Sequence, residues 1–131
     1  MMTLFIETRD EIHIIDLSTV LYLKANRNYT DFFYADGRVK SKLLNISFIE
    51  SRIAEMTSQQ NISNPFVHVG RSLLVNTDLV ELLSLKLQKI VFKTSPPVSI
   101  PVSKLLLRAF KEKLSQKLGK ESYALRSTSG S

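Results

Sequence analysis

Three short stretches of this sequence concentrate side chains able to hydrogen-bond a polar or anionic partner. The first is Lys24-Ala25-Asn26-Arg27-Asn28-Tyr29-Thr30, where cations, amides and hydroxyls crowd into one turn. Arg can grip guanine through two parallel bonds, Asn can pair with adenine, and Lys, Thr and Tyr can hold phosphate oxygens. Asn also favours turns for local reasons, because its side chain bonds its own backbone. The second stretch is Phe66-Val67-His68-Val69-Gly70-Arg71-Ser72-Leu73-Leu74-Val75-Asn76, in which Gly-Arg-Ser interrupts two apolar runs. Gly70 permits a sharp bend or a close approach. Arg71 is then carried at a tip, facing a partner or held in a surface ion pair of little worth. The third is Ile100-Pro101-Val102-Ser103-Lys104-Leu105, a strand end running into a helix start. Free backbone N–H groups at a helix start favour an anion. Lys104 is mismatched with the positive end of the helix dipole, and a nearby polyanion would offset that.

Catalytic chemistry finds little support. The two histidines, His13 and His68, sit in alternating runs that read as strands, each with its imidazole on a polar face. Neither has a His, Asp or Glu at metal-ligand spacing. The four glycines build no phosphate loop, and no nucleophile elbow or kinase signature occurs. With no cysteine there is no disulfide, thiolate metal site or cysteine nucleophile. The reading is a non-enzymatic chain with no metal and no cofactor.

The elements that must position the three stretches follow from hydrophobic period. Period-2 alternation predicts strands at residues 4–6, 11–15, 20–24, 30–34 and 38–43, the last pair joined at Asp36-Gly37, a tight-hairpin signal. Asn45 is a helix cap, followed by Ile46, Ile49, Ile53 and Met56 at helical spacing. Further strands are expected at 66–69, 73–75, 79–85, 88–93 and 98–100. Ser103 then caps a last helix, running to about Leu118 and ending at Gly119. No internal repeat is evident. The fold class is mainly β with flanking helices, antiparallel because βαβ alternation is missing. Residues 1–118 form the expected domain, and the polar residues 119–131 are expected to be a disordered tail.

At 131 residues and 44% hydrophobic composition the chain suits one domain with a real core. No apolar run approaches 18 residues, and the first residues lack a signal-peptide pattern, so a cytoplasmic location is expected. The net charge of +6 is unevenly spread: residues 104–131 hold seven Lys/Arg and two Asp/Glu, against eleven and ten before them. Basicity concentrated at one end suits a polyanionic partner, or simply a soluble lysine-rich helix.

Together and in this order, the three stretches resemble the LytTR family. The family pattern runs "I-x-Y-I-x-A-x-x-N-Y", a turn with Gly, a short helix, "F-x-x-x-H-R-S-x-x-V-N", and "P-V-S-R" opening a last helix. Here these are Val20-Leu21-Tyr22-Leu23-Lys24-Ala25-Asn26-Arg27-Asn28-Tyr29, Asp36-Gly37, Phe66 to Asn76, and Pro101-Val102-Ser103-Lys104, over roughly residues 3–118. The resemblance implies an elongated set of small β-sheets with flanking helices, and a bacterial transcriptional regulator whose loops enter successive major grooves of duplex DNA. It implies base reading by the loop around Asn28-Tyr29-Thr30, by Arg71 and by Lys104. Ser72 and Ser103 would support them as phosphate or capping positions, and Asn76 would secure the backbone. It also favours paired copies on repeated half-sites. Two positions depart from the pattern: Gly70 replaces the His before Arg-Ser, and Lys104 replaces Arg, losing the planar fork that grips guanine. A protein-interaction adaptor with a basic C-terminal helix is the competing reading, with a sensory partner in either case.

Overall fold

A computed structural model describes residues 2–119. Strands β1 (Thr3–Glu7) and β2 (Ile12–Asp16) are followed by a 3-10 turn, Leu17–Thr19. Then come β3 (Val20–Asn26), β4 (Tyr29–Tyr34), β5 (Val39–Lys42) and helix α1 (Ile46–Gln59). Strands β6 (Phe66–Val69) and β7 (Leu73–Asn76) lead through a second 3-10 turn, Thr77–Leu79. After it follow β8 (Val80–Ser84), β9 (Lys89–Phe92), β10 (Ser99–Pro101) and helix α2 (Lys104–Leu118). All pairs are antiparallel, in sheets ordered β1-β2, β5-β4-β3-β7-β6 and β10-β9-β8. The β-rich class with flanking helices is the one that the hydrophobic pattern predicts.

The five-stranded sheet is the middle layer, and β3 at its centre is buried on both faces. Val20 and Leu23 face one core with Leu4, Ile6, Phe32, Ile49 and Ile53. Leu21 and Tyr22 face the other with Val75, Phe92, Leu107 and Phe110. Two consecutive residues share a face because the register shifts between Val20 and Tyr22, as a β-bulge does. Each helix is amphipathic and covers one core. Asn45 caps α1 by accepting from the Ser47 N–H, and Ser103 caps α2 by accepting from the Leu106 N–H.

The chain contains a structural repeat that its sequence hides. Residues 3–59 and residues 66–118 both run strand, strand, 3-10 turn, three strands, helix. In the first copy the Asp16 side chain accepts from the Ser18 N–H, the Val20 N–H donates to Leu17 O, and the bulge follows. In the second, Asn76 accepts from the Asp78 N–H, the Val80 N–H donates to Thr77 O, and a bulge follows between Val80 and Leu82. Even the closing bonds match, Ala35 N–H to Thr19 O and Lys93 N–H to Leu79 O, both 2.8 Å. The repeat is one of structure and not of sequence: side-chain types differ while the Asx-capped turn and bulge are reproduced.

The strand expected at 79–85 begins at Val80, because Leu79 closes the second 3-10 turn. The expected tail of residues 119–131 lies, beyond Gly119, outside the described residues. Among the described residues, no helix is long and apolar enough to cross a membrane.

Candidate nucleic-acid interface

The first stretch becomes the β3–β4 hairpin. Asn26 pairs with Tyr29, leaving Arg27 and Asn28 as a two-residue loop with Arg27 at φ +58°. Hairpin loops that match strand twist place a positive φ at the first central position. Lys24, Asn26, Arg27, Asn28 and Tyr29 are all exposed. The Asn26 Nδ2 amide donates to Asp31 Oδ2 at 3.3 Å, and Asp31 Oδ1 accepts from the Ser41 hydroxyl. Asp31 and Ser41 escaped the sequence reading, although strand alternation places Asp31 on the same face as Asn26.

Thr30 is a correction. It is fully buried and its hydroxyl donates to Leu44 O at 2.7 Å. Period-2 alternation puts Thr30 with Phe32 and Tyr34 on the core face, so its side chain does not reach the surface that Tyr29 presents.

The second stretch is the β6–β7 turn, with Arg71 and Ser72 exposed. It is pinned from two sides. Ser72 O accepts from the Ala25 N–H at 2.8 Å, tying it to β3. Gly70 has φ +72°, and a Cβ there would sit 3.2 Å from Leu106 Cδ1 of α2. The glycine that departs from the family pattern thus suits the left-handed backbone of this turn, with the end of Leu106 close beside it. Asn76, at the far end of β7, is buried. Its Nδ2 donates to Val20 O at 2.9 Å and Leu17 O at 3.3 Å, securing the backbone of the first 3-10 turn.

The third stretch joins β10 to α2, with Ser103 and Lys104 exposed. Lys24, Ser72 and Ser103, one from each stretch, line a single open depression of about 440 Å³ with Tyr22, Phe33 and Leu106. The stacked rings of Tyr22 and Phe33, centroids 4.3 Å apart, form part of its wall. Burial pushes the Tyr22 hydroxyl above its ordinary value of 10.0. Stretches far apart in sequence therefore meet at one end of the central sheet.

Charge is available at that end. Among the described residues, Lys24, Arg27, Arg71 and Lys104 make no side-chain hydrogen bond or ion pair. Elsewhere some cations are bonded internally, Arg38 to Asp36, Arg52 to Glu55, Lys113 to His68 O, Lys117 to Ser63 and Asn64 O, whereas Arg9, Lys93, Arg108 and Lys111 make no side-chain hydrogen bond or ion pair either. The lysines of late α2 therefore fasten the helix to the β6 side, which sharpens the expectation that the whole basic segment faces a polyanion.

The histidines also differ from expectation. In β2 it is Ile12 and Ile14 that stand out, 62% and 66% exposed, while His13 is half-buried between Glu11 at 3.3 Å and Lys42 at 3.4 Å. His68 is half-buried too, its Nε2 2.6 Å from Glu50 Oε1. Both link neighbouring elements. Among the described residues no group of three or more His, Asp or Glu could hold a metal.

Small antiparallel sheets with two capped helices define a β-rich domain that gathers three turns with exposed cations at one end. The model of the LytTr DNA-binding domain matches residues 10–115, and the chain belongs to the LytTR family. A solved LytTr DNA-binding domain of a Bacillus cereus response regulator is similar in fold. It has a TM-score of 0.56 and 16% identity, covering 88% of this chain and 98% of that one. A comparison with curated proteins gave no match.

Proposed function

We propose that this domain reads duplex DNA sequence-specifically, as the output part of a bacterial transcriptional regulator in the cytoplasm, and performs no catalysis. The observation that carries the reading is the meeting, at one end of the molecule, of three turns whose exposed cations have no internal partner. Lys24 and Arg27 supply affinity by displacing counterions from phosphates, and Lys104 reaches a base edge at the start of α2. Asn26, Asn28, Tyr29 and Arg71 reach base edges in the major groove, each good bidentate contact giving about 1–3 kcal/mol of discrimination. Ser72 and Ser103 hold the turns, with spare hydroxyl capacity for phosphate. One small end makes a short footprint, so two copies on repeated half-sites supply the full one. Lysine at position 104 makes discrimination at its base pair looser than arginine would.

Selection of bound duplexes from a random pool tests this. The expected result is a recovered half-site whose preference at one position disappears in Arg71→Ala, while contacts elsewhere persist. Equal weakening on all sequences in Arg71→Ala would remove its base-reading role. No duplex recovered, together with capture of a protein partner, would favour the adaptor reading.

A further inference from the structure

The structural repeat assigns a counterpart to the β3–β4 turn. In the second copy that counterpart is the β8–β9 turn, residues 85–88, which the three stretches do not include. The two turns share more than their place in the order of strands. Each follows an Asx-capped 3-10 turn and a bulged strand. Each carries one non-glycine residue at positive φ, Arg27 at +58° and Gln88 at +52°. Each has cations and an amide in or beside it: Lys24, Arg27 and Asn28 at the first, and Lys86, Gln88 and the half-buried Lys89 at the second.

A second, independent observation fixes where this turn lies. Lys89 pairs with Pro101, and the Val102 N–H donates to Gln88 O at 3.0 Å. Val102 immediately precedes Ser103 and Lys104, and Pro101, Val102 and Ser103 line the depression shared with Lys24 and Ser72. The end of the β8–β9 turn at Gln88 therefore lies about one strand spacing, roughly 5 Å, from Val102, two residues before α2 begins. Lys86 and Gln88 are exposed, and among the described residues neither Lys86 nor Lys89 has a side-chain hydrogen bond or ion pair.

We infer that the β8–β9 turn is a fourth DNA-contacting element, with Lys86 and Lys89 gripping phosphates of the strand beside the Lys104 contact. The inference rests on the duplex-DNA reading and adds a site to it. Phosphate contacts carry no sequence information, so the signature is uniform.

The test uses the full chain and the duplex selected by the wild type. In Lys86→Ala/Lys89→Ala the affinity falls by on the order of tenfold or more for every duplex alike. The slope of log affinity against log salt drops by about 1 for each lysine, and base preference is unchanged. Lys86→Glu, confined to the exposed tip, gives the same uniform loss with an unchanged melting temperature. Lys93→Ala, at the opposite end of β9, is the charge-matched control and leaves affinity and slope as in the wild type. Unchanged affinity and slope in both Lys86 variants would overturn the inference while leaving the DNA reading intact. Equal losses in Lys93→Ala would overturn it as well, by showing that net charge and not position matters. A wild type that binds no duplex would overturn both readings.

Discussion

Gly70 shows how one residue joins the interface to the fold. Its φ of +72° is unfavourable for any residue with a Cβ, and the added carbon would press on Leu106. Gly70→Ala is expected to cost about 1–2 kcal/mol in stability, mostly from the left-handed backbone. Urea unfolding measures this, and an unchanged midpoint would show that the turn relaxes freely. The Leu106 side chain is flexible at its end, so the contact adds less than the backbone term. Some of this scale was legible in the residue types: Gly-Arg-Ser between apolar runs placed Arg71 in a turn and Ser103 before an apolar stripe read as a cap, while the fastening role of Asn76 was implied by the family resemblance. Thr30 lies inside because alternation with Phe32 and Tyr34, and not the polar company of the adjoining turn, decides which way it faces. The Asn26–Asp31–Ser41 chain was not legible, since it depends on strand register: Asn26 stands diagonally from Asp31, and Ser41 directly opposite it.

At the scale of elements, the two 3-10 turns explain a difference between Asp16 and Asn76. Asp16 is exposed and only accepts, from the Ser18 N–H and hydroxyl. Asn76 must accept from the Asp78 N–H and also donate to two carbonyls. Asn76→Asp keeps the cap but sets a carboxylate against those carbonyl oxygens. It is expected to cost at least about 2 kcal/mol, the order of a buried polar group left unsatisfied. Chemical denaturation measures it, and a change within about 0.5 kcal/mol would remove Asn76 from the role of linking the copies. Period-2 and period-3.6 patterns revealed the strands and both helices, because burial imposes those spacings. The 3-10 turns stayed hidden: three residues are too few for any period, and the second copy builds its turn from Thr-Asp-Leu where the first uses Leu-Ser-Thr.

For the whole molecule, the perturbed hydroxyls set the alkaline limit. Burial raises Tyr22 above its ordinary value, and burial is also the main cause for Tyr34, opposed by Arg38 and reinforced by Asp16 and Asp36. Both tyrosines ionise more readily unfolded than folded. Their contribution is therefore complete below about pH 10 and is lost as the pH rises through the folded values. Thermal melting is expected to fall along that alkaline arm, and less steeply in Tyr22→Phe; identical arms would exclude Tyr22 as a cause. The exposed Asp36 works in the opposite range. The Arg38 backbone N–H and guanidinium lower it, so its small contribution is present above pH 3.8 and fades as pH falls through the folded value.

The doubled architecture also bears on how such a domain diverges. Asx caps and bulges hold the shape in both halves, and they need only a few side-chain oxygens and amides. The side chains of Arg27, Asn28 and Arg71 take no part in those framework bonds, so substitutions there leave the scaffold in place. A solved domain of similar fold at 16% identity is what such a division of labour allows.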